Sequence, residues 1–135
     1  MAAPNSNPAI ILVVESDPVT VATIRTLVEE LGAICLAVSG LQAAQAVLRQ
    51  AIPDVVIAAY ELADGTGIEL ISQLRLSASH RATPAILLTG HIRTQELERA
   101  VMQGMYAFLA KPFEHQELVK LVSAALAENV ERVRK

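Results

Sequence analysis

A doubly wound α/β domain, its parallel sheet covered by helices on both faces, is the fold class this sequence predicts, and three observations lead to it. At 135 residues the chain fits one compact core and leaves no room for a second domain. Apolar runs of four to six residues, rich in Val and Ile, recur along it, and each is apolar throughout, as a strand buried on both faces requires. Helix-like stretches separate these runs in strict alternation, giving five β/α repeats.

The elements follow in order. Residues 1–8 are expected as a flexible arm, and the domain proper spans 9–130. Residues 10–14 form the first strand. Asp17 then caps a helix whose first turn holds Pro18, where a missing N–H costs nothing. Ile24, Leu27, Val28 and Leu31 recur on one face of that helix, and Gly32 ends it. Residues 33–37 are the second strand, and Ser39 with Gln42 has the spacing of a capping box for the next helix. The third strand covers 55–58, and a second capping box, Thr66 with Glu69, opens the helix after it. Strands at 85–88 and 107–110 alternate with helical segments near 94–104 and 114–131. Residues 131–135 are the end of the last helix or the start of a linker.

Composition removes several classes of function. Apolar side chains make up 53% and charged ones 19%, which excludes disorder. No uninterrupted apolar run, 9–14 and 55–60 included, is longer than six residues, against roughly 18 for a membrane helix. No basic residue precedes Arg25, so the start lacks the charged head of a secretory signal and a cytoplasmic location is expected. Cys35 is the one cysteine, which excludes an intrachain disulfide and a cysteine metal cluster and suits a buried thiol. The net charge of −3 argues against direct nucleic-acid binding. Its distribution is uneven: residues 1–70 hold two basic and eight acidic side chains, net −6, and residues 71–135 hold nine and six, net +3. If the halves occupy different faces, the molecule is polar enough to orient a partner.

In an open parallel sheet the functional crevice lies beyond the carboxyl ends of the strands. That rule nominates Glu15, Ser16 and Asp17 after the first strand and Ala59, Tyr60 and Glu61 after the third. Thr89 and Gly90 follow the fourth, and Lys111 and Pro112 the fifth. Around these positions stand ILVVESDP at 11–18, PDVVIAAYELADGTG at 53–67, PAILLTG at 84–90 and GMYAFLAKPF at 104–113. In this order and spacing they resemble the receiver domain of two-component response regulators. The resemblance implies a flavodoxin-like fold with strand order 2-1-3-4-5 and an acidic pair after the first strand that helps hold Mg²⁺. It implies an aspartate ending the third strand that takes a phosphoryl group from a histidine kinase. It further implies a hydroxyl residue ending the fourth strand, an aromatic switch on the fifth, and a phosphoryl-binding lysine often followed by a cis proline. These roles fall on Glu15 and Ser16, Ala59, Thr89, Phe108 and Lys111.

The departures from that pattern set the functional expectation. Ala59 has no oxygen, so it can neither attack a phosphohistidine nor ligate a metal. Glu15 is one methylene longer than the family's aspartate and Ser16 is neutral, so Mg²⁺ binding is expected to be weak or absent, with no cofactor and no enzymatic activity. Lys111 loses its usual carboxylate, and an ammonium buried without a partner costs several kcal/mol. Glu15 or Asp17 is therefore expected to approach it.

The remaining residues have plainer readings. Asp17 serves as a helix cap; Gly65 and Gly67 make a turn into a helix and are too few for a phosphate loop. His80, His91 and His115 lack metal-ligand spacing, with His91 expected at the surface, and no Gly-x-Ser-x-Gly elbow is present. Thr89 and Phe108 act as a switch or as packing, and Tyr60 fills part of the emptied site. The chain thus reads as a degenerate receiver, a signalling module whose partner is a protein: a histidine kinase, an effector domain or a second copy. The contact face implied by the resemblance covers 91–130 and includes Arg93, Arg99 and Lys120. Val119, Leu126 and Val133 recur every seven residues, with Val122 and Val130 nearby, so the last helix either covers the sheet or runs on into a coiled coil. Two alternatives remain: phosphorylation at Asp17, Glu61 or Ser16, and a small ligand in the crevice at Ala59.

Overall fold

The computed structural model describes residues 7–90, 95, 104 and 106–134. Along them run β1 (Ile10–Val14), α1 (Pro18–Glu30), β2 (Ile34–Val38), α2 (Leu41–Leu48), β3 (Val55–Ala59) and the two-residue strands β4 (Glu61–Leu62) and β5 (Gly65–Thr66). They are followed by α3 (Gly67–Leu76), β6 (Ala85–Thr89), β7 (Ala107–Ala110) and α4 (His115–Arg134). Five strands pair in parallel in the order β2-β1-β3-β6-β7. With the separate antiparallel hairpin β4-β5 left aside, this is the expected flavodoxin-like order 2-1-3-4-5.

The apolar runs form this sheet because each strand is buried on both sides. Ile11, Val13, Val55, Ile57, Ile86 and Leu88 pack under Ile24, Leu27 and Val28 of α1 and Leu118, Val122 and Ala125 of α4. Their chain neighbours Leu12, Val14, Val56, Ala58, Ala85 and Leu87 face the opposite way, onto Leu41 and Ala44 of α2 and Leu70, Ile71 and Leu74 of α3. Each large aliphatic side chain buried this way contributes about 1.5–3 kcal/mol before its entropy cost.

Three strand boundaries move by one residue. The second strand is Ile34–Val38 in place of 33–37, because Gly32 sits at φ +81° and residue 33 belongs to that turn. The third and fourth sheet strands end at Ala59 and Thr89, one residue later than expected, because the ladder continues through the pairs Ala59↔Leu88 and Thr89↔Ala110. The helix expected near 94–104 lies outside the described residues, as does His91. The last helix runs to Arg134, past the expected 131.

The helix starts divide. Asp17 caps α1, accepting from the Thr20 N–H (3.1 Å) and hydroxyl (2.6 Å), and Thr66 caps α3 by accepting from the Glu69 N–H (3.1 Å). The capping box expected at Ser39 and Gln42 does not form. Gly40 is the N-cap of α2 and supplies no side chain; Asp64, from the β4-β5 turn, accepts from the Leu41 N–H (2.7 Å) and the Gln42 N–H (2.9 Å) instead. His80, which the sequence marks only as lacking metal-ligand spacing, has a structural place. It is buried, with Nδ1 facing the Ser77 hydroxyl at 2.9 Å and Nε2 the Ala51 carbonyl at 3.0 Å.

Chain order also separates charge. β1, β2 and β3 belong to the acidic first 70 residues and occupy one side of the sheet, while β6 and β7 belong to the basic remainder.

Candidate functional site at the carboxyl ends of the strands

The parallel arrangement brings four of the nominated positions to one rim. Val14 pairs with Ala58, so Glu15 and Ala59 emerge side by side from β1 and β3. Thr89 ends β6, and the Lys111 N–H donates to its carbonyl at 2.8 Å as the chain leaves β7. Ala59 is 2% exposed, and Thr89 is buried. Gly67 lies directly over this floor: a Cβ there would collide with the Ala59 carbonyl and Leu87 Cδ1. Glycine therefore allows α3 to start against the end of β3.

Above Ala59 the rim is closed by an ion pair. Lys111 Nζ donates to Glu15 Oε1 across 96 residues of sequence. The glutamate side chain is 3% exposed and the lysine 29%. From β7 to β1 is three strand spacings, roughly 14 Å, so the two long side chains meet over the ends of β3 and β6, where Ala59 leaves room. Glu15 Oε2 accepts from the Asp17 N–H at 3.1 Å, so both carboxylate oxygens are engaged. Among the described residues no buried side-chain nitrogen or oxygen lacks a partner. Of the two partners expected for Lys111, Glu15 takes the place. Asp17 is held in its cap, and its carboxyl lies below the usual range chiefly because the Thr20 hydroxyl and N–H donate to it, with the Lys111 charge a smaller contribution.

The other nominated residues scatter. Ser16 is exposed at the mouth of a groove between α1 and β2. Tyr60 does not fill the space at Ala59. Strand alternation turns it to the opposite face, where it packs on the α2/α3 core, and its backbone holds Leu88 and Gly67. Phe108 stands on the outer strand β7, 41% exposed, and the Lys111–Pro112 peptide is cis. Lys120 is exposed on α4, while Arg93 and Arg99 lie outside the described residues. Burial pushes the Cys35 thiol pKa up, which keeps it protonated and inert. Asp64 is the residue that sequence reasoning missed: it ties the loop after β3 to α2, and its carboxyl is lowered by the N–H groups of Gln42 and Leu41. The Asp64-Gly65 turn signal was its only trace in the sequence.

Mg²⁺, which the resemblance brings to this rim, does not fit the donors present. Both Glu15 oxygens already accept, one from Lys111 and one from the Asp17 N–H, Ala59 offers none, and no group of three His, Cys, Asp or Glu converges among the described residues. Nor is any helix of the described residues long and apolar enough to cross a membrane.

Comparison with known proteins agrees with this architecture. The sequence model of the response regulator receiver domain matches residues 11–123. An uncharacterized 14.6 kDa protein in the sodA1 3′ region of Leptolyngbya boryana is 31% identical over 112 residues, covering 83% of this chain and 86% of that protein. The two-component response regulator PprB of Pseudomonas aeruginosa is 31% identical over 127 residues, covering 92% of this chain and 46% of PprB. The chain spans only 13% of another relative, the sensor protein GacS of Pseudomonas syringae. Among solved structures, the receiver domain of an HD domain-containing protein from Pseudomonas fluorescens superposes with TM-score 0.89 at 25% identity, covering 99% of this chain and 98% of that one. A receiver domain of a Pseudomonas aeruginosa sensor histidine kinase, crystallised with magnesium in its active-site cleft, gives TM-score 0.81 at 25% identity, covering 90% of this chain and 99% of that one. With its fold, its rim and its sequence in agreement, the chain belongs to the response regulator receiver domain family.

Proposed function

We propose that this receiver domain signals through protein contacts without forming an aspartyl phosphate. The observation that carries the reading is the methyl group of Ala59 at the end of β3, on the rim that the Glu15–Lys111 pair spans from β1 to β7. A phosphoryl acceptor there would need an oxygen nucleophile, and the lysine that would meet the phosphoryl oxygens is already neutralised. The domain then has no catalytic role of its own. Its partners are a histidine kinase, an effector domain or a second copy, met through the basic side that carries Lys120 and, in sequence, Arg93 and Arg99. Thr89 and Phe108, the switch positions of the family, serve here as packing and surface.

Exposure to acetyl phosphate and to a phosphorylated kinase with Mg²⁺, read by intact mass, tests this. No phosphoryl adduct is expected. A stoichiometric adduct overturns the reading: hydroxylamine sensitivity would mark an acyl phosphate on Asp17 or Glu61, and resistance a phosphate ester on Ser16. For the partner face, Arg93→Glu with Arg99→Glu is expected to abolish the complex, and unchanged binding refutes that assignment.

A further inference from the structure

The outer edge of β2 has chemistry that the rim does not use. β2 ends the sheet. The Ile34 N–H donates to Ala9 and the Glu15 N–H to the Val38 carbonyl, so the even-numbered residues of β2 turn their backbone groups toward β1. In a parallel ladder the residues between them, Cys35 and Ala37, turn theirs outward. An open groove runs along this edge between α1 and α2, lined by Pro18, Ala22, Arg25, Ala37, Val38 and Ala43. Its small side chains leave the backbone within reach. Arg25 Nη1 donates to the outward Cys35 carbonyl at 3.3 Å, a long contact that an incoming N–H can replace.

From these features we infer that the β2 edge is a strand-addition site for an extended peptide alternating basic and β-branched apolar residues. Alternate side chains of an added strand face the two helical layers. On the α2 side they meet Leu36, Val38 and Val47, which pack on that core. On the α1 side stands Glu29, one turn beyond Arg25 on the same helix face and near enough for its charge to act on Cys35, within a half of the chain that carries −6. The same charge disfavours a second copy as occupant, since edge-to-edge pairing would bring two such halves together.

The test titrates the full chain with a labelled eight-residue peptide alternating lysine and valine, and with its glutamate-valine counterpart. The lysine peptide is expected to bind at least about tenfold tighter, with slowed hydrogen exchange at the Cys35 and Ala37 amides. Ala37→Pro removes an outward donor and no β1 bond, a position where a strand tolerates proline, and it should weaken binding about tenfold. Ala43→Trp, which fills the groove, should do the same should the proline variant not fold. Arg25→Ala should tighten binding, because it removes both a competing donor and a cation, while Leu76→Ala on α3 should leave it unchanged. Equal binding of the two peptides, no binding of either, or full affinity in both the proline and the tryptophan variant overturns the inference. So does a dimer that Ala37→Pro dissolves, which would assign the edge to a second copy.

Discussion

α1 and α2 begin at the same rim of the sheet but are anchored in different ways. α1 is capped by the residue before it: Asp17 reaches Thr20, three positions along. α2 begins at Gly40 and takes its cap from Asp64, more than twenty positions later in the chain. The Glu15–Lys111 pair takes the second strategy to its limit. Local caps fix where a helix starts, whatever the rest of the chain does. Distant anchors form only once the sheet has brought its strand ends together, so they report on the assembled rim and couple its loops. The structure predicts that breaking distant anchors costs more than breaking local ones.

The largest effect belongs to Lys111→Ala, which strands the buried Glu15 carboxylate. Loss of a partner from a fully buried pair costs about 3–5 kcal/mol; with the lysine partly exposed, about 2 kcal/mol is expected by urea unfolding. A double-mutant cycle with Glu15→Gln should show strong coupling, and additive effects would mean that the pair contributes nothing. Ala59→Asp comes next. It places a second carboxylate beside Glu15 under one lysine and should destabilise by about 1–2 kcal/mol at neutral pH. The same substitution in a Glu15→Ala background should cost much less, because Lys111 is released to the new aspartate. Equal costs in both backgrounds would separate Glu15 from the Ala59 site.

The same division explains what the sequence disclosed. The strands β1, β3 and β6 were legible because burial on both faces demands unbroken apolar runs, and the caps at Asp17 and Thr66 because their partners lie three residues away. Lys111 could be flagged from sequence as a cation needing a partner, since desolvation penalises it wherever the strands sit. The choice of Glu15 over Asp17 was not legible, because it depends on Asp17 being spent in its own cap. The β4-β5 hairpin escaped because two-residue strands have no periodicity to read, and the cap of α2 escaped with it. His80 is buried by contacts to Ser77 and Ala51 that no pattern marks.

Asp64→Ala is the third test. Losing two N–H acceptances should lower Tm by roughly 3–5 °C and loosen α2 and the loop after β3 together in hydrogen exchange. Its pH dependence has a definite sign. The Asp64 carboxyl is lowered in the folded state by the Gln42 and Leu41 N–H groups, as Asp17 is by Thr20. Each therefore contributes stability that is present above the unfolded value of about 4 and is lost as pH falls through the lower folded value. Wild type and Asp64→Ala should accordingly converge in Tm below pH 4, and a difference that persists undiminished at pH 2 would show that the carboxylate charge is not what holds α2.

The smallest effect is predicted for Thr66→Ala. The Thr66 hydroxyl accepts from a single N–H, that of Glu69, and stands on a partly exposed turn. Its loss should cost about 0.5 kcal/mol, the low end of the usual range for an N-cap, and should fray only the first turn of α3. Because Gly67 already seats that turn against the end of β3, the start of the helix has a second restraint that α2 lacks. Hydrogen exchange on this variant should therefore speed up at Ile68 and Glu69 and leave α2 untouched, the reverse of what Asp64→Ala does. If Thr66→Ala instead loosened α2, the β4-β5 hairpin would be acting as one rigid unit with α3, and the line between local and distant anchors at this rim would disappear.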